Sequence, residues 1–223
     1  MTTTLITGAN RGIGLALAQA SAARGERVVA VCRSASPELK ALDARIVEGI
    51  DVTRRDDLAR LAAALADERL DRMFVNAGVL SQEALGEIDA DAEAAIRQQF
   101  EVNALTPVLT VQALLDRLAD GARIGIVTSR MGSMADNGSG GYYGYRMSKA
   151  AVNAAGRSLA IDLKPRGIAV ALLHPGYVRT RMTGDRGEIS TEQAAAGLIA
   201  RLDALSLAGS GGFWHSNGET LPW

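Results

Sequence analysis

Short apolar runs alternate with amphipathic stretches along the whole chain. Six of these runs are bounded by Gly, Pro, Asn or Asp and are too short for a typical helix, which predicts strands. The predicted strands are Thr3–Thr7, Arg27–Val31, Arg45–Ile50, Asp71–Asn76, Arg123–Ser129 and Ile168–His174. The last of them is apolar at consecutive positions, and therefore on both faces, which is typical of a strand in a parallel sheet that helices cover.

The segments between the predicted strands have the spacing of helices. Leucines stand three and four residues apart between Asp56 and Leu65, for example. The other predicted helices are Gly14–Arg24, Asp89–Leu118 with a kink or break at Pro107, Tyr145–Leu163, and a last one that begins near Thr191; Gly211–Trp223 is expected to form a final strand and an anchored end. This alternation predicts an α/β fold, a doubly wound parallel sheet of the Rossmann type, with residues 1–223 in a single domain.

Composition and charge narrow the functional classes. The chain has 24 Lys and Arg against 25 Asp and Glu, a formal net charge of −1, which gives no electrostatic reason to expect nucleic acid or an anionic membrane as a partner. No stretch approaches the roughly 20 apolar residues of a membrane helix, and no secretory signal is expected. One cysteine, Cys32, and two histidines make neither a disulfide nor a metal site. We expect a cytoplasmic protein.

A glycine-rich turn joins the first predicted strand to the first predicted helix. Residues 7–14 read Thr-Gly-Ala-Asn-Arg-Gly-Ile-Gly, a Gly-x-x-x-Gly-x-Gly spacing. Gly8 would permit the sharp turn, Gly12 would let a phosphate approach the backbone, and Gly14 would bring the helix close to the strand. Since the N–H groups of a helix N-terminus attract a pyrophosphate, the pattern predicts a dinucleotide-binding site, with a plain turn as the alternative.

Two arginines bear on the choice of dinucleotide. An Asp or Glu after the second strand would bind the ribose 2′-hydroxyl of NAD, but residues 28–34 contain no acid. Arg11 and Arg33 instead carry guanidinium groups, which match the 2′-phosphate of NADP in charge and geometry. NADP is therefore favoured; two solvated surface arginines are the alternative.

Tyr145 and Lys149 stand four residues apart at the start of a predicted helix and so on one face of it. A phenol has a pKa of about 10, too high for efficient proton transfer at neutral pH. An adjacent ammonium would stabilise the phenolate and lower that pKa. The pair predicts a catalytic acid or base, and an ordinary aromatic–cation pair on a helix surface is the alternative.

Taken together, these motifs resemble the classical short-chain dehydrogenase/reductase family. The matching marks are Thr7–Gly14, Asn76-Ala77-Gly78 after the fourth strand, Ser129 at the end of the fifth, Tyr145 with Lys149, and Pro175-Gly176 after the sixth. They occur in the family's order and span nearly the whole chain. The segment from Ser129 to Lys149 is, in addition, similar to the C-factor-like and sniffer-like carbonyl reductases.

The resemblance implies roles for four catalytic residues. Tyr145 would be the proton donor or acceptor, and Lys149 would lower its pKa and bind the nicotinamide ribose. Ser129 would hydrogen-bond the substrate oxygen, and Asn103 would hold a water that links Lys149 to solvent. The gap of sixteen residues from Ser129 to Tyr145 is longer than the family usually has, which leaves Ser133 as an alternative, although the strand-end position favours Ser129.

The resemblance also implies a set of cofactor contacts. Asp51 would touch the adenine, Asn76-Ala77-Gly78 would border the cofactor, and Thr180 with the backbone near Val178 would meet the carboxamide. The full expected set is Gly8, Asn10, Arg11, Gly12, Ile13, Gly14, Arg33, Asp51, Val52, Asn76, Ala77, Gly78, Tyr145, Lys149, Pro175, Gly176, Val178 and Thr180.

These expectations combine into one function and one alternative. The chain is expected to be an NADP-dependent oxidoreductase that interconverts a small-molecule carbonyl and a secondary alcohol. A cofactor-binding signalling protein without physiological turnover is the alternative, because a fold does not fix a function. The short stretch Arg181–Glu188 predicts a small or exposed substrate site, or one completed by Asp136–Gly141. His174 is expected to be structural, and family relatives suggest a homodimer or homotetramer.

Overall fold

Seven strands form one sheet in the computed structural model, which describes residues 1–223, and each strand is parallel to its neighbours. They are β1 (Thr3–Thr7), β2 (Arg27–Val31), β3 (Arg45–Val47), β4 (Leu70–Val75), β5 (Leu118–Val127), β6 (Ala169–His174) and β7 (Phe213–His215). The order across the sheet is β3-β2-β1-β4-β5-β6-β7, so the chain winds outwards in one direction from β1 and in the other from β4. The carboxyl ends of β1 and β4 therefore border the crevice where open α/β sheets bind ligands.

Seven α-helices connect the strands: α1 (Gly12–Ala23), α2 (Pro37–Lys40), α3 (Arg55–Ala64), α4 (Ala90–Phe100), α5 (Thr106–Ala113), α6 (Tyr143–Asp162) and α7 (Thr191–Ala204). Two separate apolar clusters, of 23 and 19 buried residues, cover the two faces of the sheet. Leu61, Val111 and Val152 bring α3, α5 and α6 to one face, and Leu17 and Leu198 bring α1 and α7 to the other. The prediction of a doubly wound parallel sheet of the Rossmann type in a single domain is confirmed.

The long predicted helix Asp89–Leu118 differs from the structure at its middle and at its end. A π-helical turn, Glu101–Leu105, separates α4 from α5, just before Pro107, whose ring nitrogen has no hydrogen to donate to the preceding turn. The helix stops at Ala113, and Leu118 is the first residue of β5 and not the last residue of a helix. Periodicity missed this boundary because residues 118–123 are polar and apolar in no regular alternation.

Other boundaries shift by a few residues. The third strand ends at Val47 and not at Ile50, and the fifth ends two residues before Ser129. The sequence reading missed α2, although Ser36 caps it by accepting from the Leu39 N–H and Pro37 occupies its first turn, a recognised start signal. The tail contributes β7 as expected. None of the helices has the length and apolar character needed to cross a bilayer.

Candidate active site

The glycine-rich turn between β1 and α1 is shaped by its three glycines. Gly8 and Gly12 have φ angles of +67° and +54°, in the left-handed region that favours glycine. A Cβ on Gly14 would lie 2.2 Å from the carbonyl oxygen of Gly8, so only glycine lets the helix approach the turn this closely. The side chain of Arg11 does not cap α1, and no acid occupies its first turn. A bare helix N-terminus behind a strand fits a pyrophosphate.

Asn76 fastens this turn to the end of β4. Its backbone N–H donates to Thr7 Oγ1 at 3.0 Å, and its side-chain amide donates to the carbonyl oxygens of Thr7 at 3.1 Å and Gly8 at 3.4 Å. A Cβ on Gly8 would lie 3.1 Å from Ala77 Cα. The structure thus brings Asn76 and Ala77 against the glycine-rich turn at the crevice between β1 and β4.

The end of β2 carries the residues expected near an adenosine. Arg33 follows this strand by two positions and, like Arg11, is exposed and forms no ion pair. The side chain of Asp51 accepts hydrogen bonds from the hydroxyl and the N–H of Thr53 at 2.7 and 3.0 Å. These bonds, and then the attraction of Arg33, hold the pKa of Asp51 below its usual value. Arg33 and Asp51 are therefore brought together, with Val52 partly buried beside them.

Tyr145 and Lys149 lie on the same side of α6 and are almost fully buried, with exposed fractions of 9% and 4%. The Nζ atom of Lys149 lies 5.6 Å from the centre of the Tyr145 ring and donates to the carbonyl oxygen of Val127 at 3.0 Å. The hydroxyl of Ser129, two residues after β5, accepts from the N–H of Met131 at 3.1 Å and lies near enough to the phenol of Tyr145 to act on its pKa. The first turns of α6 and the end of β5 therefore meet at the carboxyl edge of the sheet.

The pKa values of this pair are shifted in directions that differ in part from expectation. Burial raises the pKa of Tyr145 to about 12, although the neighbouring hydroxyl of Ser129 acts in the opposite direction. Burial also lowers the pKa of Lys149 to about 8. The pKa of Tyr145 is thus raised in the protein alone, and not lowered as the spacing of the pair suggests, because desolvation of the phenolate is the dominant effect.

Asn103 sits in the π-helical turn and links three segments. Its Oδ1 atom accepts from the Val79 N–H at 2.9 Å, and its Nδ2 atom donates to the Val79 carbonyl at 2.8 Å and to Ser148 Oγ at 3.1 Å. A Cβ on Gly78 would lie 3.2 Å from Asn103 Oδ1 and 3.7 Å from Lys149 Nζ. Gly78 therefore lines the space between Asn103 and Lys149.

Ser133, the alternative to Ser129, has other partners. Its hydroxyl donates to the carbonyl oxygen of Trp223 at 3.2 Å and accepts from the N–H of Asp136 at 3.1 Å. The N–H of Ala135 also donates to Trp223, at 2.9 Å. Ser133 thus fastens the segment after Ser129 to the tail of the chain, and the structure places Ser129, not Ser133, against Tyr145.

The segment after β6 closes the site from the other side. A Cβ on Gly12 would lie 3.6 Å from the methyl group of Thr180, so this segment reaches the glycine-rich turn. Gly176 has a φ of +96° after the buried Pro175, and the buried Val178 accepts through its carbonyl from a Thr183 hydroxyl at 2.7 Å.

His174 lies at the end of β6 and is not part of this cluster's hydrogen bonds. Its ring meets that of His215 edge to face, with the ring centres 4.8 Å apart. Burial, and then the neighbouring His215, Arg130 and Lys149, lower the pKa of His174 to about 3, so the ring is neutral at physiological pH. No group of three or more His, Cys, Asp or Glu side chains is placed to hold a metal ion.

Sequence reasoning missed the buried polar residues that support the site. Thr128 donates through its hydroxyl to the Asn153 side chain at 2.7 Å, and Gln99 donates to Glu83 at 2.6 Å. Gln99 stands four residues before Asn103, on the same side of the long helical segment formed by α4, the π-helical turn and α5. This four-residue spacing was a usable signal, because two residues four positions apart lie on the same side of a helix and are buried by the same neighbours.

Comparisons with known proteins find one family and several relatives. A family model described as short chain dehydrogenase matches residues 2–190. The 1-hydroxy-2-glutathionyl-2-methyl-3-butene dehydrogenase of Rhodococcus sp. (strain AD45) is 43% identical over 229 residues, which cover 100% of both chains. The C-signal protein of Myxococcus xanthus is 42% identical over 157 residues, 69% of this chain and 93% of its own.

The solved structures that resemble this chain include two carbonyl reductases. The carbonyl reductase Sniffer of D. melanogaster superposes with a TM-score of 0.91 at 28% identity, with 100% of both chains covered. A carbonyl reductase from Pseudomonas aeruginosa in complex with NADP superposes with a TM-score of 0.84 at 35% identity, again over 100% of both chains.

Proposed function

The chain belongs to the short chain dehydrogenase family, and from that membership we propose that it is an NADP-dependent oxidoreductase that interconverts a carbonyl and a secondary alcohol. Its similarity to the C-factor-like and sniffer-like proteins is confirmed by the Myxococcus and Drosophila relatives. Its substrate is a small molecule that binds at the carboxyl edge of the sheet.

One observation carries the proposal: a buried phenol, that of Tyr145, lies near the hydroxyl of Ser129 and beside the ammonium of Lys149. In carbonyl reduction, Tyr145 gives its proton to the carbonyl oxygen while Ser129 holds that oxygen by a second hydrogen bond. When bound, the nicotinamide supplies the hydride for the carbonyl carbon, or accepts it in the reverse direction. The pKa of about 12 keeps Tyr145 neutral before this step, which suits a proton donor.

Lys149 supports the state that follows proton transfer. Its ammonium lies alongside the ring of Tyr145, so it offsets the charge of the phenolate. Val127 accepts only one of its three N–H bonds, which leaves donors for the ribose hydroxyls. Asn103 shares the space beside Gly78 with Lys149, and we assign it the water that returns a proton from solvent.

The residues around the glycine-rich turn supply the cofactor site. Its pyrophosphate would lie on the N-terminus of α1, and the free guanidinium groups of Arg11 and Arg33 support NADP over NAD. The P. aeruginosa reductase in complex with NADP supports the same choice. Asp51 and Val52 would border the adenine, and the remaining contacts would come from Gly8, Asn10, Gly12, Ile13, Gly14, Asn76, Ala77, Gly78, Pro175, Gly176, Val178 and Thr180.

Replacement of Tyr145 by Phe tests the proposal. The Tyr145→Phe variant keeps the ring and loses the only proton donor assigned to the substrate oxygen, so turnover of a carbonyl panel should fall by at least about a thousandfold. Binding of NADPH, titrated by fluorescence alongside NADH, should stay within about twofold of the wild-type value and be tighter than that of NADH. Tyr143→Phe, in the same turn of α6, is the control. Retained turnover in Tyr145→Phe would refute the assignment.

A second candidate substrate class is favoured by the full-length match to the Rhodococcus dehydrogenase. That protein's name describes a hydroxyl on carbon 1 beside a carbon that bears a glutathionyl group. The same panel should therefore include a β-hydroxyalkyl glutathione conjugate with NADP⁺, and the parent alcohol without glutathione. Oxidation of the conjugate alone would extend the proposal to a terminal alcohol.

The signalling alternative has less support, since the C-signal relative matches 69% of this chain and the dehydrogenase matches 100%. Absence of NADPH oxidation across aldehydes, ketones and quinones would favour it.

We also propose a homodimer or homotetramer through the long helical segment and α6, because Phe100, Leu105 and Ile161 are 47%, 50% and 61% exposed. Sedimentation velocity measures the assembly.

A further inference from the structure

The loop after β4 is tied to two helices by buried polar side chains. Gln99 in α4 is fully buried and Glu83 in the loop is 5% exposed. The Oε1 atom of Gln99 accepts from the Ser81 N–H at 2.9 Å, and its Nε2 atom donates to Glu83 Oε1 at 2.6 Å. The other oxygen of Glu83 accepts from the N–H of Gly144 at 3.1 Å. This chain of hydrogen bonds ends in the first turn of α6, one residue before Tyr145.

The start of α6 needs such support because the chain enters it in a strained conformation. Tyr142, which precedes the helix, has φ 52° and ψ 44°, and its side chain does not cap the helix. Gly140 and Gly141 before it also have positive φ angles. A left-handed conformation is uncommon for a residue with a side chain. The N–H of Tyr142 donates to the main-chain carbonyl of Glu83 at 3.1 Å, so Glu83 holds both the entry and the first turn.

The charge of Glu83 and the packing at Gly144 both agree with Glu83 supporting the start of α6. Glu83 forms no ion pair, and a buried carboxylate without a cation needs other compensation. The N-terminus of the twenty-residue helix α6 offers its positive dipole end and a free N–H group. A Cβ on Gly144 would lie 2.5 Å from Gln99 Nε2, so the glycine leaves room for Gln99 to reach Glu83.

We propose that Glu83, held by Gln99, is a positioning residue that caps α6 from outside the helix and thereby fixes Tyr145 against Ser129. The inference rests on the proposed function, because it assigns the capped turn to proton transfer. Asn103 acts on the same helix one turn later through Ser148, so the two buried amides of the long helical segment hold successive turns of α6.

The test compares Glu83→Gln with Glu87→Gln, the same change at an exposed position of the same loop. Glu83→Gln keeps the size of the side chain but sets two amide donors against each other and removes the charge at the helix N-terminus. We expect kcat per bound NADPH to fall about tenfold, while the NADPH Kd stays within about twofold. Hydrogen exchange at the Gly144 amide should accelerate, and Glu87→Gln should match the wild type in every measurement.

A double variant, Glu83→Gln with Gln99→Glu, gives each donor an acceptor again. We expect it to recover kcat to within about threefold of the wild-type value. Normalising kcat to the number of NADPH sites separates positioning from simple loss of folded protein. A wild-type kcat per site in Glu83→Gln, or a double variant as slow as the single one, would overturn the inference. If the wild type itself turned over no carbonyl, the proposed function would fail, whereas unchanged exchange at Gly144 in Glu83→Gln would refute the cap.

Discussion

The glycine-rich turn and the catalytic cluster lie at the same edge of the sheet but are built differently. The turn is eight consecutive residues whose shape comes from main-chain geometry and the absence of side chains at Gly8, Gly12 and Gly14. The cluster joins Ser129 and α6 only through long-range contacts, and it depends on buried polar side chains elsewhere. A local motif such as the turn can therefore be predicted from the sequence. The burial and the hydrogen bonds of the cluster, in contrast, are determined only when the chain folds.

The two regions also differ in their electrostatics. The turn offers main-chain N–H groups to a phosphate and contains one charged side chain, the exposed Arg11. In the cluster, burial moves the pKa of Tyr145 up and that of Lys149 down. Substitutions that change only the shape of the main chain should therefore impair cofactor binding by the turn. Substitutions or pH changes that alter protonation or charge should impair proton transfer in the cluster.

Within the turn, the largest effect is expected from Gly14→Ala. The new methyl carbon would sit 2.2 Å from the carbonyl oxygen of Gly8 and 2.7 Å from the Asn76 amide, and main-chain oxygen has little freedom to move. Overpacking commonly costs about 1–3 kcal/mol, and we expect at least the upper end. NADPH affinity should fall more than about a hundredfold because the turn and α1 must separate. Gly138→Ala, whose methyl group meets nothing within 4 Å, is the matched control for Kd and unfolding. Equal behaviour of the two variants would contradict the packing argument.

This contrast explains how much could be predicted from sequence. The turn, the strand–helix alternation and the Tyr145–Lys149 pair were recognisable because their residues are adjacent or share a helical face. The predicted end of the long helix was wrong because β5 starts with a segment of mixed polar and apolar residues, 118–123, that resembles the end of a helix. The supporting role of Glu83 is invisible along the chain, since Gly144 lies 61 positions away.

The direction of the Tyr145 shift shows a second limit. Spacing places Lys149 beside the phenol, and that proximity favours a lower pKa. Burial acts in the opposite direction and is the larger effect. How deeply a side chain is buried depends on packing by α6, β5 and the segment after it, which no local pattern reports.

The two serines after β5 give a sharper comparison within the cluster. Ser129→Ala removes the hydroxyl that lies near Tyr145, so kcat should fall about a hundredfold, in the range known for loss of one oxyanion donor. Ser133→Ala instead breaks contacts with Trp223 and Asp136 and should cost about 1 kcal/mol of unfolding free energy, with kcat within about threefold. Steady-state kinetics and urea unfolding of both variants test this pair. The reverse pattern would assign the serine role to Ser133.

The smallest and most diagnostic effect is a pair of opposite pH trends set by Lys149. In the folded protein its pKa is about 8 instead of the ordinary 10.5, so between these values the unfolded chain binds more protons than the native one. Stability should therefore rise with pH across this window, by about 1.4 kcal/mol per unit at most. Tyr145, whose pKa is raised from 10 to about 12, contributes stability that is lost only above pH 10. From pH 8 to 10 a rise in stability thus belongs to Lys149, because burial raises the pKa of the Cys32 thiol and that group contributes a slope of the opposite sign.

Over the same interval kcat/KM for NADPH in carbonyl reduction should fall by up to about tenfold per unit, because the ammonium that offsets the phenolate is lost. The glycine-rich turn offers main-chain N–H groups to NADPH, so the NADPH Kd should change much less than kcat/KM, through the loss of the Lys149 ammonium beside the ribose alone. Lys149→Met removes the buried charge, so its unfolding free energy should show no rise between pH 8 and 10 and should exceed that of the wild type at pH 7. Urea unfolding at matched pH values measures both. A Lys149→Met variant with the wild-type slope would show that the ammonium is not desolvated in the native protein, and the electrostatic contrast between turn and cluster would be lost.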